Sequence, residues 1–241
     1  MESREQASVK SRDCYRTTRP IVPLTSARLP IQVKVTETLI IQLRPLESSD
    51  LEHFRRLRTQ EAVMVNTQRG VIDATLEESQ QWMDRHLPPN DANTYVLVIW
   101  AKEDEETWEH IGTVGCHIIS PVPVVGYMLR TEWWGRSIAT KALQAFIEHW
   151  WTLDRRIVEV SIAKAKDEHC VHKMKLETSQ RKDQVDVNEV VPEILLAEID
   201  EKNIPSIRVI TKCGFHYRGC WPVTQDGIDF VIRDYTLSRP Q

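Results

Sequence analysis

The stretch VVGYMLRTEWWGRSIATKAL, residues 124–143, constrains the fold more than any other part of the chain. Its opening residues VVGYMLR are rich in β-branched and bulky apolar side chains and read as a strand. From Ala139 onward the apolar residues Ala139, Leu143, Phe146, Ile147 and Trp150 recur at helical spacing, so a one-faced amphipathic helix follows. At such a strand-to-helix junction several backbone N–H groups lack intrahelical partners, and the helix adds about half a positive charge there. Gly135 permits close backbone approach, and Arg136 can add a charge-assisted bond to an anionic oxygen. The residues alone leave two readings, a plain cap on a helix or a cradle for a phosphate. The turn is neither a Walker A loop nor a dinucleotide fingerprint, since it has no GK[ST] and no GxGxxG.

The flanking pattern supplies the rest of a sheet. TLIIQLRPL (38–46) reads as a strand, and Ser48, Ser49 and Asp50 offer caps for a helix with Leu51, Phe54 and Leu57 on one face. Thr75 and Glu78 form a capping box before a second helix. TYVLVIW (94–100) and HIGTVGCHIIS (110–120) read as paired strands around an acidic turn. EILLAEID (193–200) is another strand, followed by a helix that starts near Pro205 and stops at Gly214. Two last strands flank Asp226-Gly227. The order β-α-α-β-β-β-α-β-α-β-β describes one α+β domain over residues 37–241 with a mixed sheet. Residues 1–36 lack helical periodicity, end in the proline-punctuated RPIVPLTSARLP, and are expected to be a flexible extension. Residues 155–192 begin with a short strand candidate, IVEVSIA, but continue so polar that a mobile insertion is expected.

Composition excludes several classes of partner. A net charge of −4 gives no electrostatic footprint for nucleic acid. No apolar run approaches the ~20 residues that span a bilayer, so no membrane partner is expected. Five cysteines, odd in number and without a CxxC pair, argue against a disulfide framework or zinc ribbon and for a reducing, intracellular and cytoplasmic setting. His169, Cys170 and His172 do not complete a tetrahedral set, so no metal is expected. The Trp133-Trp134 and Trp150-Trp151 pairs read as packing for the turn and the helix end.

Five stretches in order carry a resemblance. GYML (126–129), WGRSIATKAL (134–143) and NIPSIRVITKCGF (203–215) follow the upstream LRPL (43–46) and IGTVG (111–115). Together they resemble the GNAT superfamily of N-acetyltransferases, most closely the branch of ribosomal-protein N-terminal acetyltransferases, over about residues 38–237. The resemblance implies a single domain with a mixed, mostly antiparallel twisted sheet flanked by helices, whose splayed central strands form an acetyl-CoA cleft. It implies acetyl transfer from acetyl-CoA, as co-substrate, to a primary amine, either a small molecule or a protein N-terminus. The competing class is a non-catalytic acyl-CoA-binding or interaction module on the same fold.

The resemblance also assigns residues. The backbone of Met128, Leu129 and Arg130 would pair with the pantetheine arm, and a backbone N–H near Leu129 would stabilise the tetrahedral oxyanion. Trp134, Gly135, Arg136, Ser137, Ile138, Ala139 and Thr140 would hold the pyrophosphate, and Asn203 would bond the pantetheine amide. Ser206, of N-x-x-S, is the catalytic candidate for stabilising the leaving thiolate. Two departures stand out: Ser137 replaces the usual second glycine of the turn, and Ile210 stands where many members carry a tyrosine. The general base is unassigned; His117 lies on the strand before GYML, and Val124 and Val125 stand where the branch often has an acid.

Overall fold

The computed structural model describes residues 14–21, 29–104, 107–162, 168–179, 190–225 and 227–240. Much of the leader, parts of the insertion, the tip of the acidic turn and Asp226 therefore lie outside the described residues. The main sheet is built from β2 (Ile31–Lys34), β3 (Leu39–Pro45), β4 (Tyr95–Glu103), β5 (Glu109–Ile118), β6 (Val124–Leu129), β8 (Ile194–Asp200), β9 (His216–Gln225) and β10 (Ile228–Ser238). Their spatial order is β2-β3-β4-β5-β6-β8-β10-β9. Neighbours are antiparallel except β6 and β8, which run parallel and meet at a single register pair, Val124 with Leu196. This is an α+β domain with a mixed, mostly antiparallel sheet flanked by helices.

Alternation along the strands sorts the helices onto two faces. β4 is apolar at nearly every position because both of its faces are covered. Leu97 and Ile99 join Val125, Leu129, Leu195 and Ala197 in the core under helix α4 (Ile138–Thr152), which is tied in by Leu143, Phe146 and Trp150. Helix α6 (Ile204–Lys212) packs on this same side through Ile207 and Ile210. The opposite face is shared. Helices α1 (Leu51–Arg58), α2 (Glu61–Met64) and α3 (Leu76–Asp84) cover Val98 and Met128 with Phe54, Leu57, Val63 and Met83. In the half beyond β6, Ile194 and Leu196 of β8 are covered instead by Tyr15 and Met174.

That second half departs from the expectation for the leader and the insertion. Residues Cys14–Pro20 form β1, which pairs antiparallel with β7 (Arg155–Ser161), and Ile31–Lys34 form the edge strand β2. Residues Glu168–Thr178 form helix α5. The physical reason is a buried ionic lock. The Arg19 guanidinium donates to both carboxylate oxygens of Glu177, at 2.9 and 2.7 Å, across 158 residues of sequence. Tyr15 donates to the same carboxylate at 2.7 Å, and neither Arg19 nor Glu177 is accessible to solvent beyond a few per cent. Nearby, Glu193 accepts from Thr18, Trp150 and Arg155. A polar segment thus becomes ordered by pairing its charges rather than by burying a large apolar face.

Because each charge of the lock is buried, removing one leaves the other uncompensated. Arg19→Met is expected to lower the unfolding free energy by about 3–5 kcal/mol, whereas the Arg19→Met/Glu177→Leu double replacement recovers most of that loss. Urea unfolding of the two variants beside the parent measures both.

Candidate active site

The parallel contact between β6 and β8 ends almost where it begins. Leu196 donates its N–H to Pro123 at 2.9 Å, and beyond the Val124–Leu196 pair the two strands carry no further register pair. Arg130 donates its N–H to Ile111 on the β5 side, so by strand alternation the peptide groups of Leu129 and Tyr127 face the gap. Unpaired backbone groups inside a sheet are a ready edge for an extended, amide-bearing ligand. Of the three residues expected to pair with a pantetheine arm, Leu129 turns its peptide groups to the gap. Its carbonyl already accepts the Trp134 indole N–H at 2.7 Å. Met128 and Arg130 turn theirs to β5, and the Met128 side chain packs under α1–α3.

At the end of β6 the chain passes through a short 3-10 turn, Thr131–Trp133, and enters α4. Gly135 and Ser137 both have left-handed backbone, with φ of 74° and 63°. Ser137 is the N-cap of α4, its side chain makes no cap bond, and its carbonyl accepts from Lys141. A serine thus adopts the conformation that a glycine would take without strain, at a cost of roughly 1–2 kcal/mol. The amides of Ile138, Ala139 and Thr140, in the first turn of α4, have no intrahelical partner. No described residue supplies an acceptor for them. Arg136 does not point freely at this turn: it pairs with Glu103 and stacks over Trp133, 4.7 Å from the ring centre.

Across the gap, α6 begins with Asn203 as its N-cap, whose side-chain oxygen accepts from the Ser206 N–H at 3.1 Å. The Tyr127 hydroxyl donates to Ser206 Oγ at 3.1 Å, bridging β6 and α6 on the α4 face. Burial holds the Tyr127 hydroxyl above its usual range, so it stays protonated. Ile210, at the position where a tyrosine is common, is 2% exposed and belongs to the core.

On the opposite face the same gap is flanked by β5 and β8. His117 is the extra residue of a β-bulge between Cys116 and Ile118. A Cβ built on Gly126 would lie 3.2 Å from both Cδ2 and Nε2 of His117, so the imidazole lies against the backbone of β6 at the gap. Trp82 and His86 wall the ring at centroid distances of 5.9 and 5.7 Å. Trp82 is fixed in turn by Phe54 and by Arg58, which is bound through two nitrogens to Asp73. Glu198 stands two residues past the fork on β8. It pairs with His169 and with Lys173 at 3.0 Å, both from α5. Burial alone would raise its carboxyl pKa, but His169 and Lys173 outweigh that and leave it lowered. Asp234 next door accepts from His172 at 2.6 Å and from the Trp221 indole. The two histidines of the 169–172 segment are therefore committed to carboxylates, and no cluster among the described residues could hold a metal ion.

Tyr127 and Glu198 are the site residues that the sequence reading missed. Alternation in GYML already sends Tyr127 to the face opposite Met128, but its partner is 79 residues away. Glu198 is marked only as a charge interrupting an apolar strand.

A sequence model of the acetyltransferase (GNAT) domain matches residues 41–216. No protein in the curated sequences matches the chain. Three solved structures are similar in fold. A GNAT-family acetyltransferase from Bacillus anthracis has 16% identity and a TM-score of 0.54, covering 87% of this chain and 99% of that one. The ribosomal alpha-N-protein acetyltransferase RimL, in complex with coenzyme A, has 16% identity and a TM-score of 0.55, covering 86% and 98%. The spermidine N-acetyltransferase from Vibrio cholerae, in complex with CoA and spermine, has 14% identity and a TM-score of 0.55, covering 83% and 95%.

Two stability effects follow from the site. Ser137→Gly removes left-handed strain but adds freedom to the unfolded chain, for a net gain of about 0.5 kcal/mol visible as a higher urea midpoint. Burial first, then neighbouring positive charge, pushes His86 and His117 down to about 3 and about 4, while the unfolded chain protonates both near 6.5. The folded state therefore binds fewer protons below that pH, and stability, full above it, declines as pH falls toward 4. His86→Phe should shrink the difference between urea midpoints measured at about pH 7 and about pH 5.

Proposed function

Because the chain belongs to the GNAT acetyltransferase family, we propose that it transfers an acetyl group from acetyl-CoA to a primary amine by direct attack. The observation that carries this reading is the fork between β6 and β8, open beside the unpaired first turn of α4. The amides of Ile138, Ala139 and Thr140, with the exposed backbone of Gly135 to Ser137, would hold the pyrophosphate. The Leu129 amide, turned to the gap, pairs with the pantetheine arm, and the Asn203 side-chain nitrogen, unused in its cap, bonds the pantetheine amide. Trp134 holds the end of β6 in place through its bond to Leu129. Arg136 is tied back to Glu103, so the anion is met chiefly by backbone.

Acetyl-CoA supplies the activated acyl group. The amine nitrogen bonds to the carbonyl carbon, backbone N–H groups of β6 at the gap stabilise the resulting oxyanion, and the carbon–sulfur bond breaks. Ser206 gives its hydroxyl proton to the departing sulfur and recovers one from Tyr127, whose bond to Ser206 Oγ leaves the serine's own proton free to point elsewhere. Tyr127 thus supplies from the strand the phenol that position 210 lacks. The acceptor enters on the face lined by His117 and Glu198, between α3 and α5. A small amine and a protein N-terminus both present the required group.

Ser206→Ala should lower kcat about 10–100-fold while leaving acetyl-CoA affinity nearly intact, because a group acting on the leaving sulfur stabilises the transition state selectively. Steady-state kinetics with free-thiol detection, beside calorimetric titration of CoA, separates the two quantities. CoA binding with no thiol release across a broad amine panel would instead identify a non-catalytic acyl-CoA-binding module.

A further inference from the structure

We propose that His117 takes the proton from the attacking amine, an assignment that rests on the acetyl-transfer reading above. Four observations converge on it. The β-bulge at Cys116–Ile118 places His117 outside the ladder, which is how a sheet re-aims one side chain. Gly126 leaves the space that the ring fills, since a methyl group there would press on Cδ2 and Nε2 at 3.2 Å. The ring therefore lies against β6 one residue before Tyr127, at the point where that strand parts from β8. Neither ring nitrogen hydrogen-bonds to a described residue, while Trp82 and His86 hold the ring by its edges.

Glu198 also stands at the mouth of the gap, and it is already committed to described partners. One of its oxygens is paired with His169 and the other with Lys173. Accepting a proton there would disrupt the contacts of Glu198 with both His169 and Lys173, whereas His117 can accept one without breaking a bond to any described residue. Arg58 of α1, whose positive charge reaches the ring, is itself held by Asp73. Burial, helped by the charge of Arg58, keeps the imidazole neutral down to about pH 4. A weak base suffices, because bonding to the carbonyl carbon makes the nitrogen's protons far more acidic than those of a free ammonium ion. The proton balance closes: the amine nitrogen loses one proton to His117, the sulfur gains one from Ser206 and Tyr127, and solvent exchange restores both sides.

The test compares parent, His117→Ala and His117→Gln with acetyl-CoA and three amines: spermine, glycinamide and a tetrapeptide with a free N-terminus. With whichever amine the parent acetylates, kcat should fall about 10²–10⁴-fold in both variants. The KM for acetyl-CoA should change less than about twofold, since nothing in the donor's binding is removed. Added imidazoles should restore His117→Ala in order of their basicity, a response that a packing defect cannot give. The glutamine variant fills most of the histidine's volume, and its unfolding midpoint shows whether lost activity is lost fold. An active parent with an undiminished His117→Ala, or rescue indifferent to basicity, overturns the assignment alone. A parent that binds CoA but releases none with any of the three amines overturns the acetyl-transfer reading and the role of His117 with it.

Discussion

The single register pair between Val124 and Leu196 is the constraint on which the site depends. Parallel strands normally continue a ladder once they have met, because each unmade backbone bond inside a sheet leaves a polar group unsatisfied. Here the ladder stops, and the remaining strands hold the two halves apart. The pairing of β6 with β5 continues as far as Leu129, and that of β8 with β10 as far as Asp200. The opening is therefore bounded on each side by a strand that is paired on its far edge. α4 starts directly beside it because β6 leads into that helix through one short turn, so the open edge and the unpaired amides of the helix share one approach. A ligand that combines an extended amide chain with a terminal anion fits both at once.

Much of this was legible in the sequence. Each element of the expected order β-α-α-β-β-β-α-β-α-β-β has a strand or helix at its place, with ends that differ by a few residues, because apolar periodicity and caps are local signals. Thr75 does accept from Glu78 N. The exceptions are long-range. Nothing local in CYRTTRP announces that its partner is β7, and nothing in the polar 168–178 segment announces Arg19. The same holds within the site. The turn residues could be read from spacing, but whether Ser137 adopts left-handed backbone depends on how β6 and α4 are held, and the Tyr127–Ser206 bond depends on two elements meeting across the sheet.

The buried charges explain why the less legible half matters to the more legible one. A buried ion pair adds little net stability over a well-packed apolar pair, since desolvation offsets most of the attraction. It does impose direction, because Glu177 must present both oxygens to the fork of Arg19 while also accepting from Tyr15. That fixes the rotation of α5 about its own axis. His169, His172 and Lys173 lie one to two turns earlier on the same helix, so the lock at Glu177 aims all three at the carboxylates of β8 and β10. Glu198 is thereby held between His169 and Lys173 on one side of the gap. The imidazole on the other side, at the bulge of β5, stays unclaimed. The N-terminal strand, distant in sequence from every motif of the cleft, thereby bears on how the charges beside the gap are paired.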